Sequence, residues 1–381
     1  MRDHALLHHD QTLFRDREIF EFGYTPERLH HRDAQIRELA WLARPALEGA
    51  AAGNAILRGP PGTGKTTTVR RLFAEIEDAT NRIIPVFINC QQHRTQFSVF
   101  ARVFEAVVGH APPSAGKHVD EIVRQMAGRL EERDAALLVC LDDANYLHDS
   151  RQLNDLLYRI LRLYETRDVR RPGVFVVTSD RCLDINAAVD ERVRSVFHPI
   201  EVNFPAYTKP EILEILGDRV RQGLFPGVMP PSSLDLAAGI TADEQDIRVG
   251  IDLIRRAVET VERTGRRRVT RKDVMEVSRS IIAPALQKRV EALPEAERGL
   301  LLRIAEMALE DADMTSGSVY EELRGYIAAC PTVYRARLKH LEEERLIDLP
   351  LRPGRGRARD VLLRYPPGDV IECCERLQKP R

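Results

Sequence analysis

The stretch Gly59-Pro-Pro-Gly-Thr-Gly-Lys-Thr66 limits what this chain can fold into more than any other. It fits the pattern G-x-x-x-x-G-K-[ST], and the apolar run Asn54-Ala-Ile-Leu57 precedes it as a strand should. A helix is predicted to open at Thr66. The residues Gly59, Pro60, Pro61, Gly62, Thr63 and Gly64 then form a loop whose backbone N–H groups turn inward toward phosphate oxygens, at the positive end of the helix dipole. Lys65 is placed to reach the β- and γ-phosphates and Thr66 to offer its hydroxyl to Mg²⁺, with Thr67 beside it counted among the nucleotide-binding residues. A chain with this motif binds a nucleoside triphosphate.

The rest of the first half builds a sheet around that loop. Apolar runs at Arg82–Asn89, Ala136–Asp142 and Gly173–Thr178 alternate with helical patterns at Phe97–Val108, Val119–Arg133 and Arg151–Glu165. Strands apolar along their whole length, each followed by a helix, predict a parallel sheet buried on both faces. Beyond about Phe204 the strand signals stop, and helices are predicted at Lys209–Gln222, Ser232–Ala238, Gln245–Glu262 and Thr270–Ile282. A third pattern follows: helices at Glu295–Leu309, Ser318–Ala329 and Thr332–Arg345, then two short strands around Arg352–Arg359. The expected organisation is an α/β nucleotide-binding domain over 1–206 with an N-terminal arm over 1–20, a small all-α domain over 207–283, and a C-terminal domain over 284–381.

Composition adds exclusions. No apolar run approaches membrane-spanning length, and the polar, His-bearing start is no signal peptide. The six cysteines show no C-x-x-C spacing, which predicts reduced thiols and a cytosolic compartment. His4, His8, His9, His30 and His31 lack a Cys or acidic partner to complete a ligand set, and read as solvated side chains of a mobile arm.

A P-loop site needs an acid at the end of a neighbouring strand. Asp142 ends the apolar run Leu137–Leu141 and is expected to organise Mg²⁺, with Asp143 beside the hydrolytic water. Far along the chain, Thr332–Ile347 places Tyr334, Leu338 and Leu341 on one stripe while Thr332, Arg335 and Lys339 fall elsewhere. That is the pattern of a recognition helix, packed on one side and presenting donors and cations to the major groove on the other. Arg352, Arg355, Arg357 and Arg359, set around glycines, read as a basic hairpin wing for phosphates or a minor groove.

Taken in order, these features resemble the AAA+ ATPases, and more narrowly the archaeal origin-recognition and cell-division-control-six (Orc/Cdc-six) replication initiators. Beside the P-loop, the resemblance rests on Tyr24-Thr-Pro-Glu-Arg-Leu-His-His-Arg32, Leu141–Leu147, Val189–Ser195, Phe204-Pro-Ala-Tyr207, Asp246–Ile254 and a closing winged helix, over nearly the whole chain. It implies that Arg32 and Tyr207 lie at the nucleotide, with Arg32 near the adenine. It implies that Arg192 is an arginine finger offered to a neighbouring subunit. Arg248 would be a second sensor touching the γ-phosphate, and Ser179 would stand at the first sensor. It also implies a second DNA contact from the segment about Thr95 to Lys117. Two positions depart from the family pattern: Asp143 stands where Glu is usual, and Ser179 where Asn is usual. Both departures strike groups that position water, so ATP binding is expected with slow turnover.

The function this implies is an ATP-controlled initiator that binds origin duplex DNA, with ATP/ADP and Mg²⁺ as ligands. Implied partners are the replicative helicase and other initiator copies, in the cytoplasm at the nucleoid. Two readings compete: a Holliday-junction branch-migration motor, and a winged-helix signalling ATPase that binds protein instead of DNA.

Overall fold

The computed structural model describes residues 12–112, 119–147, 150–179, 185, 189–310, 312–324, 330–350 and 359–378. Five parallel strands form the central sheet: β1 (Asn54–Arg58), β2 (Ile83–Asn89), β3 (Ala136–Asp142), β4 (Gly173–Thr178) and β5 (Pro199–Asn203), in the spatial order β2-β3-β4-β1-β5. Every residue of β3 and β4 is buried, as expected of strands covered on both faces. β5 was not expected from the sequence. Only Val202 of its residues is buried, and its alternating polar side chains conceal its pairing with β1 from Asn54↔Pro199 to Arg58↔Asn203.

Helices cover both faces. Against one lie α1 (Asp33–Ala43) and α2 (Lys65–Ala79), sharing a core with Leu57, Phe175 and Phe204. Against the other lie α3 (Gln96–Val108), α4 (Val119–Arg133), α5 (Ser150–Leu161) and the single turn α6 (Glu191–Arg194), around Phe100, Phe104, Met126 and Leu157. A capping box between Thr95 and Ser98 starts α3, and left-handed Gly109 stops it.

The lid follows as α7 (Lys209–Gly223), α8 (Pro231–Glu244) and α9 (Ile247–Arg263). Thr208 and Glu211 form a second capping box at the start of α7. Contacts divide the chain into two compact units, Met1–Val274 and Met275–Arg381, so the lid and the sheet belong to one unit. The expected mobile arm differs from what is found: from Thr12 onward it docks on the lid. Phe14 pairs with Leu224, and the Thr12 hydroxyl donates to Glu262.

The next helix, α10 (Arg271–Ala292), runs past the expected stop at Ile282 and carries Pro284 inside it. Burial of Leu286 and Val290 in the core of the second unit holds its later turns in place. That unit continues with α11 (Glu295–Leu309), α12 (Ser316–Leu323), α13 (Pro331–Glu343), an antiparallel pair β6 (Ile347–Asp348) and β7 (Leu362–Leu363), and α14 (Pro367–Gln378). The pair flanks 351–358, so the strands expected around Arg352–Arg359 sit further out. Arg352, Arg355 and Arg357, like residues 325–329 of the expected helix Ser318–Ala329, lie outside the described residues. Among the described residues, no helix is long and apolar enough to cross a membrane.

Candidate nucleotide site and nucleic-acid interface

The P-loop leaves β1 at its carboxyl end, between the strand ends of β3 and β4 and the lid, where open α/β sheets gather ligands. Gly62 and Gly64 take left-handed conformations, φ 70° and 88°. Both also stand too close to neighbours for a side chain. A Cβ on Gly62 would lie 1.9 Å from Asp246 Oδ1, and one on Gly64 2.7 Å from the Tyr207 hydroxyl.

Lys65 is buried and donates to the carbonyls of Gly59 (2.6 Å) and Pro60 (2.8 Å). Burial pulls its ammonium down to about 8, with Asp142 and Asp143 opposing. The Thr66 hydroxyl donates to both oxygens of Asp142, at 3.1 and 3.0 Å. Asp142 is itself buried, and burial with the neighbouring Asp143 pushes its carboxyl up to about 6. Asp143 occupies the left-handed region at φ 54°, and its Oδ2 accepts from Gln91 Nε2 at 3.0 Å.

A cleft of about 630 Å³ brings Lys65, Thr66, Thr67, Asp143, Ser179 and Arg248 together. It adjoins a second, more apolar cavity of about 580 Å³ lined by Leu29, Ile215, Ile247 and Ile251 with Arg32 and Tyr207. Five residues, among them Gly64, Thr67 and Arg219, line both, so one continuous space runs between P-loop and lid.

Arg32 lies in that space as a strut. Its guanidinium donates to the carbonyls of Thr63 (2.9 Å), His31 (2.8 Å) and Pro205 (2.8 Å), and stacks 3.8 Å from the centre of the Tyr207 ring. Burial lowers its pKa and raises that of Tyr207. Arg248, near the start of α9, is exposed at the cleft, and its backbone N–H is capped by Asp246 at 2.9 Å. Arg192 does not line the cleft. It points to the surface from α6, bonded to Asp190 (2.6 Å) and 5.3 Å from the Tyr158 ring.

Sequence reasoning missed several neighbours of the site. His30 and His31 are not solvated: His30 faces Glu214 and Asp218 at 3.2 Å each, and His31 faces Glu214 at 3.0 Å, all on α7. Their acidic partners lie more than 180 residues away, beyond any local pattern. Asp246 carried a readable signal, a helix-capping Asp two residues before Arg248. Gln91 carried none.

In the second unit, Tyr334, Leu338 and Leu341 of α13 are buried with Leu300, Ile304 and Val361. Thr332, Arg335 and Lys339 are exposed, and Lys339 pairs with Glu343 on its own helix (3.4 Å). Arg359, just before β7, is exposed, and its guanidinium donates to the Leu349 carbonyl at 3.3 Å.

A P-loop beside an acidic strand end on a parallel sheet, closed by an all-helical lid, defines an AAA+ nucleoside triphosphatase. Residues 28–177 match the AAA ATPase domain family, and residues 213–279 the Cdc6 AAA+ ATPase-type lid domain. The chain belongs to the family of ORC1-type DNA replication proteins: it is 38% identical to ORC1-type DNA replication protein 6 of Halobacterium salinarum, over 97% of this chain and 98% of that one. The fold is similar to the Aeropyrum pernix ORC2 protein in its ADPNP–ADP complexes, with TM-score 0.75 and 25% identity over 96% and 98% of the two chains. It is also similar to the A. pernix ORC1 protein in complex with DNA, with TM-score 0.63 and 28% identity over 95% and 97%.

Proposed function

We propose that this protein is an ATP-controlled replication initiator that binds origin duplex DNA through its C-terminal unit. ATP enters the continuous cleft between P-loop and lid, its phosphates on the loop N–H groups and Lys65, its adenine in the apolar cavity beside Leu29 and Ile247. Lys65 exchanges its Gly59 and Pro60 carbonyls for phosphate oxygens. Arg248 reaches the terminal phosphate from the lid, so phosphate occupancy sets the lid's angle. Arg32 acts on the base side indirectly, fixing the P-loop carbonyl of Thr63 against Pro205.

The donor set fits Mg²⁺: the Thr66 hydroxyl and Asp142 carboxylate are hard oxygens already within 3.1 Å of each other. Bound there, the ion would neutralise charge on the β- and γ-phosphates. Asp143 and Ser179 are the residues left to orient water. Asp143 is one methylene shorter than Glu and engaged by Gln91, which supports slow hydrolysis suited to a switch. Arg192, outside its own cleft and exposed, suits contact with a nucleotide on another copy of the chain.

The C-terminal unit reads as a winged helix, with α11 to α13, the β6–β7 pair as wing, and α13 entering the major groove. The observation that carries the DNA reading is α13 itself: its apolar stripe is buried while Thr332, Arg335 and Lys339 are exposed. The resemblance to an ORC1 protein solved on DNA supports it. A cytoplasmic, nucleoid-bound protein that meets the replicative helicase and further initiator copies follows from the same reading. Chromatin immunoprecipitation with sequencing tests it: peaks at replication origins are expected, and peaks confined to promoters would overturn the initiator role.

A further inference from the structure

The segment Arg263-Thr-Gly-Arg-Arg-Arg-Val-Thr-Arg-Lys272, from the last residue of α9 to the first turn of α10, holds six cations and no acid. Every one of its residues except Val269 is exposed. Like charges at this density repel, and a merely solvated loop would relieve that by staying loose. This loop is instead fastened along its length. Val269 is fully buried, donates its N–H to the Val228 carbonyl (2.8 Å), and accepts at its own carbonyl from the Ser233 hydroxyl (3.2 Å). Asp273 takes a two-pronged guanidinium contact from Arg266 (3.0 and 2.7 Å) and two further bonds from Thr270. The Arg266 contact holds the Asp273 carboxyl well below the usual carboxylate range. Arg271 bonds the Ser232 carbonyl (3.1 Å), and left-handed Gly265 turns the chain. Arg267 and Arg268 are thus carried on a fixed frame between the Arg266 clamp and the Val269 anchor.

We propose that this lid loop is a further nucleic-acid contact, binding the phosphate backbone of duplex DNA without reading its sequence. The inference rests on the DNA-binding reading above. Its chemistry selects the partner. The loop's one apolar side chain is buried, so it offers no hydrophobic anchor of the kind that carries a protein interface. What it offers is planar guanidiniums and an ammonium, donors that phosphates accept from. The loop also hangs from the far end of α9, about 22 Å along the helix axis from Arg248. The helix that meets the phosphates at one end therefore carries the basic loop at the other, and a change in lid angle moves the contact.

The test uses the full chain loaded with ATP and a long duplex, with affinity measured against salt. The variant is Arg267→Ala/Arg268→Ala/Lys272→Ala, which spares the Arg266 and Arg271 frame. Binding to origin and random duplex should weaken by the same factor, on the order of tenfold, with the salt slope flatter by about 0.9 per lost contact. ATP affinity should stay at the wild-type value, and circular dichroism should show the fold kept. If the triple variant folds poorly, Arg268→Gln/Lys272→Gln gives the same readout with side-chain length kept. Arg335→Ala runs in parallel. If wild type binds duplex, Arg335→Ala erodes its preference for origin, and the loop variant keeps wild-type affinity and slope, the loop inference alone is overturned. Failure of the wild type to bind any duplex overturns the DNA reading itself.

Discussion

Lys65 and Asp142 are ionisable groups folded into low-dielectric surroundings; the Gly59 and Pro60 carbonyls and the Thr66 hydroxyl offset part of that cost, and phosphate and Mg²⁺ are expected to offset more. Lys65→Ala should lower ATP affinity about 10- to 150-fold, the equivalent of roughly 1.5–3 kcal/mol for a hydrogen bond to a charged group. Titration with a fluorescent ATP analogue measures it, and unchanged affinity in a folded variant refutes the site. For Asp142 the sign is the unusual one for a carboxylate. Its folded pKa is raised from 3.8 to about 6, so the nucleotide-free fold prefers the protonated acid and loses stability as pH rises through that value. Asp142→Asn should therefore stabilise the empty protein near neutral pH, by roughly 1–3 kcal/mol, while abolishing Mg²⁺-dependent ATP binding. In the wild type, Mg²⁺-dependent affinity should fall as pH drops below about 6. A melting temperature lowered by Asp142→Asn would contradict this. Asp143→Glu extends the reach by one methylene and should raise steady-state hydrolysis. It should also cost about 1 kcal/mol, because the left-handed backbone at this position suits Asp better than Glu.

At the scale of elements, α13 is held from behind by more than its apolar stripe. His340 bonds Glu297 of α11 at 2.5 Å, and that bond raises the imidazole pKa above 6.5. A raised folded pKa means the contact contributes fully below pH 6.5 and is lost as pH climbs through the raised value. Melting of wild type and His340→Ala at pH 6 and pH 8 isolates it: the variant should lose less stability across that interval, and identical losses would remove the tether. On the opposite face, Arg335→Ala should cost about 1–3 kcal/mol on the preferred duplex and little on random DNA, if Arg335 reaches a base edge. A competition assay between the two duplexes reads that difference. Elements differed in legibility for a definite reason. β3, β4, α4 and α11 stood at their expected residues because burial on both faces or strong periodicity is written locally. α1 and β5 were missed because polar residues interrupt their patterns, and β5 becomes a strand only by pairing with β1.

For the nucleotide-binding unit as a whole, the decisive contact is between lid and P-loop. Asp246 caps α9 and simultaneously lies against Gly62, so the loop has room for the lid only because that residue has no side chain. Gly62→Ala adds a left-handed alanine, at about 1 kcal/mol, and a clash with Asp246 that only lid displacement relieves. Stopped-flow release of a fluorescent ADP analogue should therefore be faster in Gly62→Ala, with the central sheet unaffected. Release at the wild-type rate would mean that the lid closes without this contact.

The sequence by itself determined the phosphate chemistry: Gly62, Lys65, Thr66 and Asp142 follow from a motif and a strand end that need no distant partner to be recognised. It also determined which face of α13 is buried, since three apolar residues at helical spacing leave one choice. Tertiary structure alone decided the strand order, the strut from Arg32 to the carbonyls of Thr63 and Pro205, and the pairing of His30 and His31 with α7. It alone set Asp246 against the P-loop. Each of those joins residues far apart in the chain, and periodicity, capping and turn chemistry act only across a few neighbouring residues.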